Sequence, residues 1–110
     1  MKLISAMLTI LLVLFYAAPT LKAADAAAGK ALYTKKCSTC HGASGEGKAA
    51  VAALLKIEFK DLRSKEVQSK SDAELKKIIL EGMGKMKPVK DVDAKAADDV
   101  IAYLRTVANK

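Results

Sequence analysis

The sequence predicts an all-α fold. Apolar residues recur at helical spacing in three stretches, residues 26–40, 71–82 and 94–108. No segment shows the regular alternation of apolar and polar residues that is typical of a half-buried β-strand. The chain has only 110 residues, which is enough for a leader segment and one small domain.

Residues 1–23 have the pattern of a secretory signal peptide. Lys2 supplies a positive start, residues 3–18 form an apolar run, and the pair Ala23–Ala24 offers small residues for cleavage. A membrane anchor is the alternative, but the run is short for a spanning helix, which needs about 20 residues. We therefore expect residues 1–23 to be cleaved and residues 24–110 to form a single exported domain.

The first helix of that domain is predicted over residues 26–40. Leu32 and Tyr33 lie on its apolar side, with Gly29 one turn before the tyrosine. Three glycines, Gly42, Gly45 and Gly47, follow in close succession, and they should end the helix in a loop.

The two later helices begin with clear capping signals. Ser71 and Glu74 form a capping box, and Gly82 should end the helix that starts there. Asp93 is the expected N-cap of the last helix, which continues to about Ala108. The segment over residues 48–70, before the helix that starts at Ser71, gives weaker signals. We predict a short helix over residues 49–56 and irregular chain beyond it, with Phe59 and Leu62 as apolar anchors.

The chemistry of the chain is concentrated in Cys37-Ser38-Thr39-Cys40-His41, a C-x-x-C-H run typical of covalent haem attachment. Two thiols one helical turn apart can form thioethers with the two vinyl groups of one porphyrin, and His41 can then bind the iron. The chain contains two cysteines and one histidine, so this ligand has no competitor.

Two other uses of the motif remain open at this stage. The cysteines could form a disulfide or a thiol-redox pair, although that motif normally lies in a βαβ context that this chain lacks. A zinc site needs four ligands, and the motif supplies three. A haem also suits the composition, because a short domain without tryptophan buries a limited core and a large apolar cofactor would enlarge it.

A haem held by His41 needs a sixth ligand if the iron is to be closed to other molecules. Met83 and Met86 are the candidates, since both lie in a glycine-flanked loop that ends at Pro88. A methionine sulfur opposite a histidine raises the reduction potential of the iron. Core packing is the alternative role of each methionine.

With these motifs in order along the chain, the sequence resembles the small single-haem bacterial cytochromes c of class I, similar to cytochrome c6 and cytochrome c553. The resemblance covers residues 26–109 and rests on these matching elements: Gly29-x-x-Leu32-Tyr33, Cys37-Ser38-Thr39-Cys40-His41-Gly42, the helix capped by Ser71, Gly84-Lys85-Met86-Lys87-Pro88, and Ala102-Tyr103-Leu104-Arg105.

The resemblance implies a small cytochrome c fold whose N- and C-terminal helices cross and whose core surrounds one covalent haem c. Gly29 and Tyr33 would then pack against Tyr103 and Leu104. It also selects Met86 over Met83 as the distal ligand, because the family's methionine stands just before the loop proline. The chain departs from the family in having no proline over residues 48–56, so another backbone carbonyl should accept from His41.

The function implied is one-electron transfer with His41 and Met86 on the iron, in an exported, periplasmic monomer. No catalytic triad, carboxylate pair or nucleotide-binding loop indicates an enzyme, and nucleic acid and stable membrane binding are not expected. The chain has 19 basic and 12 acidic residues, and lysines around the site would suit redox partners with acidic surfaces, although they could equally be ordinary surface: Lys35, Lys36, Lys48, Lys85, Lys87 and Lys90. A ligand-binding haem or a thiol–disulfide protein are the other functions considered.

Overall fold

The computed structural model describes residues 23–109, so the predicted signal peptide lies outside the described residues except for Ala23. Within that range the chain is helical and contains no β-strand. Its six helices are α1 (Ala26–Lys36), α2 (Ser38–His41), α3 (Ala49–Leu55), α4 (Lys65–Gln68), α5 (Asp72–Glu81) and α6 (Ala94–Thr106). The predicted all-α fold is therefore confirmed.

Helices α1 and α6 pack against each other, as predicted, and Gly29 makes the closest approach. A Cβ atom on Gly29 would lie 1.8 Å from the carbonyl oxygen of Asp99, so only a glycine allows the two backbones to come this close. One turn further on, the rings of Tyr33 and Tyr103 lie 5.2 Å apart at an angle of 54°. The contact between the two tyrosines agrees with the prediction. The atoms nearest to Gly29 belong to Asp99 and Val100, one turn before the predicted Tyr103 and Leu104.

The first predicted helix is broken at Cys37. The hydroxyl of Ser38 donates to the carbonyl of Thr34 at 2.5 Å, and such a side-chain bond competes with the backbone ladder of a helix. Cys37 lies at φ −115°, away from ideal helical geometry, and α2 begins after it. The haem motif thus occupies a separate short turn instead of the end of one long helix.

Helices α5 and α6 carry the caps that the sequence predicts. Ser71 accepts from the amide of Glu74 while the Glu74 carboxylate accepts from the amide of Ser71. Asp93 accepts from the amide of Ala96 at the start of α6. These two helices, α1 and the short α4 bury the core, whose largest contributors are Tyr33, Val67, Leu75, Ile79, Val100, Ile101, Tyr103 and Leu104.

The segment between α2 and α5 folds back over the glycine loop. The predicted short helix is present as α3, while α4 was missed, although Ser64 caps it and Val67 is its one buried residue. The amide of Leu62 donates to the carbonyl of Gly45 at 2.8 Å, which fixes the segment on the loop. Over residues 23–109, no helix is both long and apolar enough to cross a bilayer.

A candidate haem-binding site

A cavity of about 340 Å³ brings together the two parts of the chain that the sequence singled out. Cys40 and His41 lie on its wall with Met83 and Met86, residues more than 40 positions away in the sequence. Cofactor pockets commonly have volumes of about 300–1,000 Å³ and mostly apolar walls. The rest of this wall is largely apolar as well: Leu55, Ile57, Glu58, Phe59, Lys60, Leu62, Val67, Lys70, Leu75, Ile78 and Lys85.

The two cysteines carry free thiols and are half-buried. Cys40 lines the cavity, while Cys37 packs against the hydrophobic core beside it. Burial, and then the proximity of Cys40, raise the pKa of the Cys37 thiol to about 11. Thiol-redox pairs have a lowered thiol pKa, so this environment does not favour disulfide exchange. No group of three metal-binding side chains occurs within residues 23–109, which leaves a zinc site without support.

The imidazole of His41 is partly enclosed at the cavity wall. Burial lowers its pKa, which favours the neutral form that binds metals. Its Nδ1 atom is buried, and no residue from 23 to 109 accepts a hydrogen bond from it. The expectation that a backbone carbonyl would accept from His41 is therefore wrong for this structure.

Met83 and Met86 face each other across a tight two-residue turn. The Met83 amide donates to the Met86 carbonyl at 2.9 Å, and the Met86 amide donates back at 3.0 Å. Directly opposed residues of an antiparallel pair project to the same side, so both thioethers can reach one cavity. Met83 is 57% exposed, while Met86 is half-buried.

The loop after His41 is held by two tyrosines at the crossing of α1 and α6. The Tyr33 hydroxyl donates to the Gly42 carbonyl at 2.7 Å, and the Tyr103 hydroxyl donates to the Ala43 carbonyl at 3.3 Å. Burial holds the pKa of Tyr33 well above its usual range, so the phenol remains a donor. The Glu46 carboxylate accepts from the amides of Ala43 and Ser44. The backbone amide of Glu46 itself, followed by these loop amides, holds the pKa of that carboxyl below its usual range. The core tyrosines thus fix the position of the motif.

Comparison with known proteins identifies the architecture. Residues 24–104 match the family described as cytochrome c oxidase, cbb3-type, subunit III. The chain belongs to this family of c-type cytochromes. A solved structure of the KustC0563 c-type cytochrome is similar to this chain with a TM-score of 0.64 and 25% identity, over 74% of this chain and 98% of that one. No curated protein matches the sequence.

Membership of the c-type cytochromes implies covalently bound haem c, and the residues at the cavity fit such a group. Its apolar wall suits a porphyrin face, and it presents a neutral imidazole and two soft thioether sulfurs. The thiol of Cys40 lies on the same wall, with Cys37 one helical turn earlier. This set of side chains therefore fits haem c.

One wall of the cytochrome's cavity depends on a polar network that the sequence analysis missed. Arg105 of α6 donates to the carbonyls of Gln68 and Lys70, both at 2.8 Å. The Gln68 amide in turn donates to the carbonyl of Leu62 at 2.8 Å. Sequence spacing gives no signal for bonds between residues more than 30 positions apart, so only the fold reveals this support for the wall.

The lysines named from the sequence differ in their surroundings. Lys85 lines the cavity and donates to the Leu55 carbonyl at 2.7 Å, at the end of α3. Lys36 lies 3.7 Å from the carboxylate of Asp91. Lys60 and Lys70, which the sequence analysis did not name, line the cavity, and Lys60 also pairs with Glu66.

Proposed function

We propose that this cytochrome is an exported carrier of single electrons with one covalently attached haem. The observation that carries the proposal is the shared cavity, because it joins the C-x-x-C-H motif to a methionine turn across the whole domain. We further propose that residues 1–23 are a signal peptide and that residues 24–110 act in the periplasm as a monomer. Family membership supports electron transfer over catalysis.

Four residues at or beside the cavity have proposed roles. Cys37 and Cys40 would hold the haem through two thioether bonds, and His41 would bind its iron. Met86 is the proposed distal ligand, since it is the more buried methionine and stands two residues before Pro88. Haem iron, when bound, supplies a reversible couple between Fe(III) and Fe(II). The apolar wall keeps water away, and a thioether ligand favours the reduced state.

The proposed partners are other redox proteins. The matching family is described as a subunit of cytochrome c oxidase, which supports an electron-transfer partner. The chain has an excess of basic residues, so acidic docking surfaces on the partner would speed association at low salt. Neither nucleic acid nor a permanent membrane attachment of the mature chain is part of the proposal.

The proposal is tested on the mature protein, purified from a host that attaches haem c. Mass spectrometry should give a chain lacking about 23 residues and carrying one haem. The spectrum should be low-spin, with the weak red band of methionine on ferric iron, and carbon monoxide should leave the reduced form unchanged. Met86→Ala should lose the red band and bind carbon monoxide.

Met83→Ala is the matched control, because it truncates the same side chain on the same turn. It should keep the red band and the resistance to carbon monoxide. A high-spin wild-type protein that binds carbon monoxide would instead indicate a ligand-binding haem. Absence of covalent haem would return Cys37 and Cys40 to thiol chemistry.

A further inference from the structure

Within the described part of the chain, the His41 imidazole is held without a hydrogen bond at Nδ1. Its Nδ1 atom is buried, yet no residue from 23 to 109 accepts a hydrogen bond from it. The ring lies 5.5 Å from the ring of Phe59, with 56° between the two planes. This separation and tilt fall within the range in which aromatic rings attract each other, edge toward face. The Phe59 ring therefore packs against the imidazole.

The Phe59 ring is itself fixed relative to the histidine through the glycine loop. The Gly47 amide donates to the carbonyl of His41 at 2.6 Å, so Gly47 returns to the base of the motif. A Cβ on Gly47 would lie 3.1 Å from the Cβ of Phe59, and φ is +85° there, which disfavours any other residue. Leu62, three residues further on, is bonded to Gly45. The segment with Phe59 therefore contacts the loop through the close approach of Gly47 to Phe59 and the hydrogen bond from Leu62 to Gly45.

We propose that Phe59 is the positioning residue for the proximal ligand, because its ring contact sets the plane of an imidazole that no hydrogen bond at Nδ1 orients within the described residues. This inference rests on the proposed function, because it requires His41 to bind the iron. A hydrogen bond from the far nitrogen of a ligating histidine makes that ligand more basic. Without such a bond the imidazole donates less charge, which favours the reduced iron. Phe59 then sets the plane of the imidazole ring.

The test uses the haem-loaded protein and two readouts. The first is the reduction potential, and the second is the pattern of haem methyl resonances in the ferric state, which reports the orientation of the axial imidazole. Phe59→Ala should lower the potential, because it opens the cavity wall beside the imidazole to water. The methyl pattern should also change, since the imidazole loses its support. Phe59→Tyr keeps the ring and should restore both wild-type values.

Val100→Ala separates positioning from general loss of stability. Val100 is 2% exposed in α6 and does not line the cavity, so its truncation should weaken the fold and leave both readouts unchanged. The inference is overturned if Phe59→Ala keeps the wild-type potential and methyl pattern, or if Val100→Ala shifts them as much. A wild-type protein without low-spin haem c would overturn the proposed function itself, and the inference with it.

Discussion

Removal of the Tyr33 hydroxyl tests whether the helix crossing holds the haem motif in place. The ring of Tyr33 is 1% exposed and its hydroxyl donates to the Gly42 carbonyl at 2.7 Å. Tyr33→Phe keeps the ring and its contact with Tyr103 but leaves a carbonyl in a buried residue without this donor. Such a loss costs about 1–3 kcal/mol of the free energy of unfolding. For a domain of this size, each kcal/mol corresponds to roughly 4–8 °C in Tm.

Tyr103→Phe is the matched control, because it removes the same atom from the other ring of the pair. Its bond to the Ala43 carbonyl is longer, at 3.3 Å, so the expected loss is at most about 1 kcal/mol. The free energy is measured by guanidinium unfolding of the haem-loaded protein, followed by far-UV circular dichroism. Equal losses in the two variants, or a larger loss for Tyr103→Phe, would refute the argument.

Three further changes test other contacts. Gly29→Ala should reduce the free energy of unfolding by about 1–3 kcal/mol in denaturant titrations, because its Cβ overlaps the Asp99 carbonyl; an unchanged midpoint would contradict the close crossing. The Asp25 amide and then Lys95 hold the pKa of Asp99 below its ordinary value, so this carboxylate contributes stability above about pH 4 that is lost as pH falls further. Asp99→Asn should therefore flatten the acid limb of the stability–pH curve, and an unaltered limb would argue against that role. Arg105→Lys retains one charge but cannot bond two carbonyls through a planar fork, so it should cost about 1–2 kcal/mol in the same titration, and a loss near zero would show that the network is dispensable.

The sequence predicts the long helices well, because their signals are local. The capping box at Ser71 and the cap at Asp93 appear in the structure as expected. The sequence does not predict the break at Cys37, since the break depends on a hydrogen bond from the Ser38 hydroxyl to the Thr34 carbonyl. Short α4 was missed, because four residues carry too little periodicity to be recognised.

In the candidate site, too, the local motif could be predicted from the sequence and the long-range contacts could not. Adjacent residues define the C-x-x-C-H motif, so its chemistry is legible without a fold. The lack of an acceptor for His41 Nδ1 could not be foreseen, because it depends on which atoms of residues 42–62 return to the ring. The sequence predicts Phe59 as an apolar anchor, but its contact with His41 depends on the bond from Leu62 to Gly45 and on the close approach of Gly47 to Phe59.

Local pattern was sufficient to predict the helical class of this cytochrome, the attachment motif and the two candidate methionines, because each depends on residues within one or two turns of chain. Which residues share the cavity, and how each is supported, depends on packing between distant parts of the chain. Cys40 and Met86 line one cavity because α1 and α6 cross at Gly29 and the intervening chain folds over the loop. Contacts of this kind join distant residues through packing, for which local pattern carries no signal.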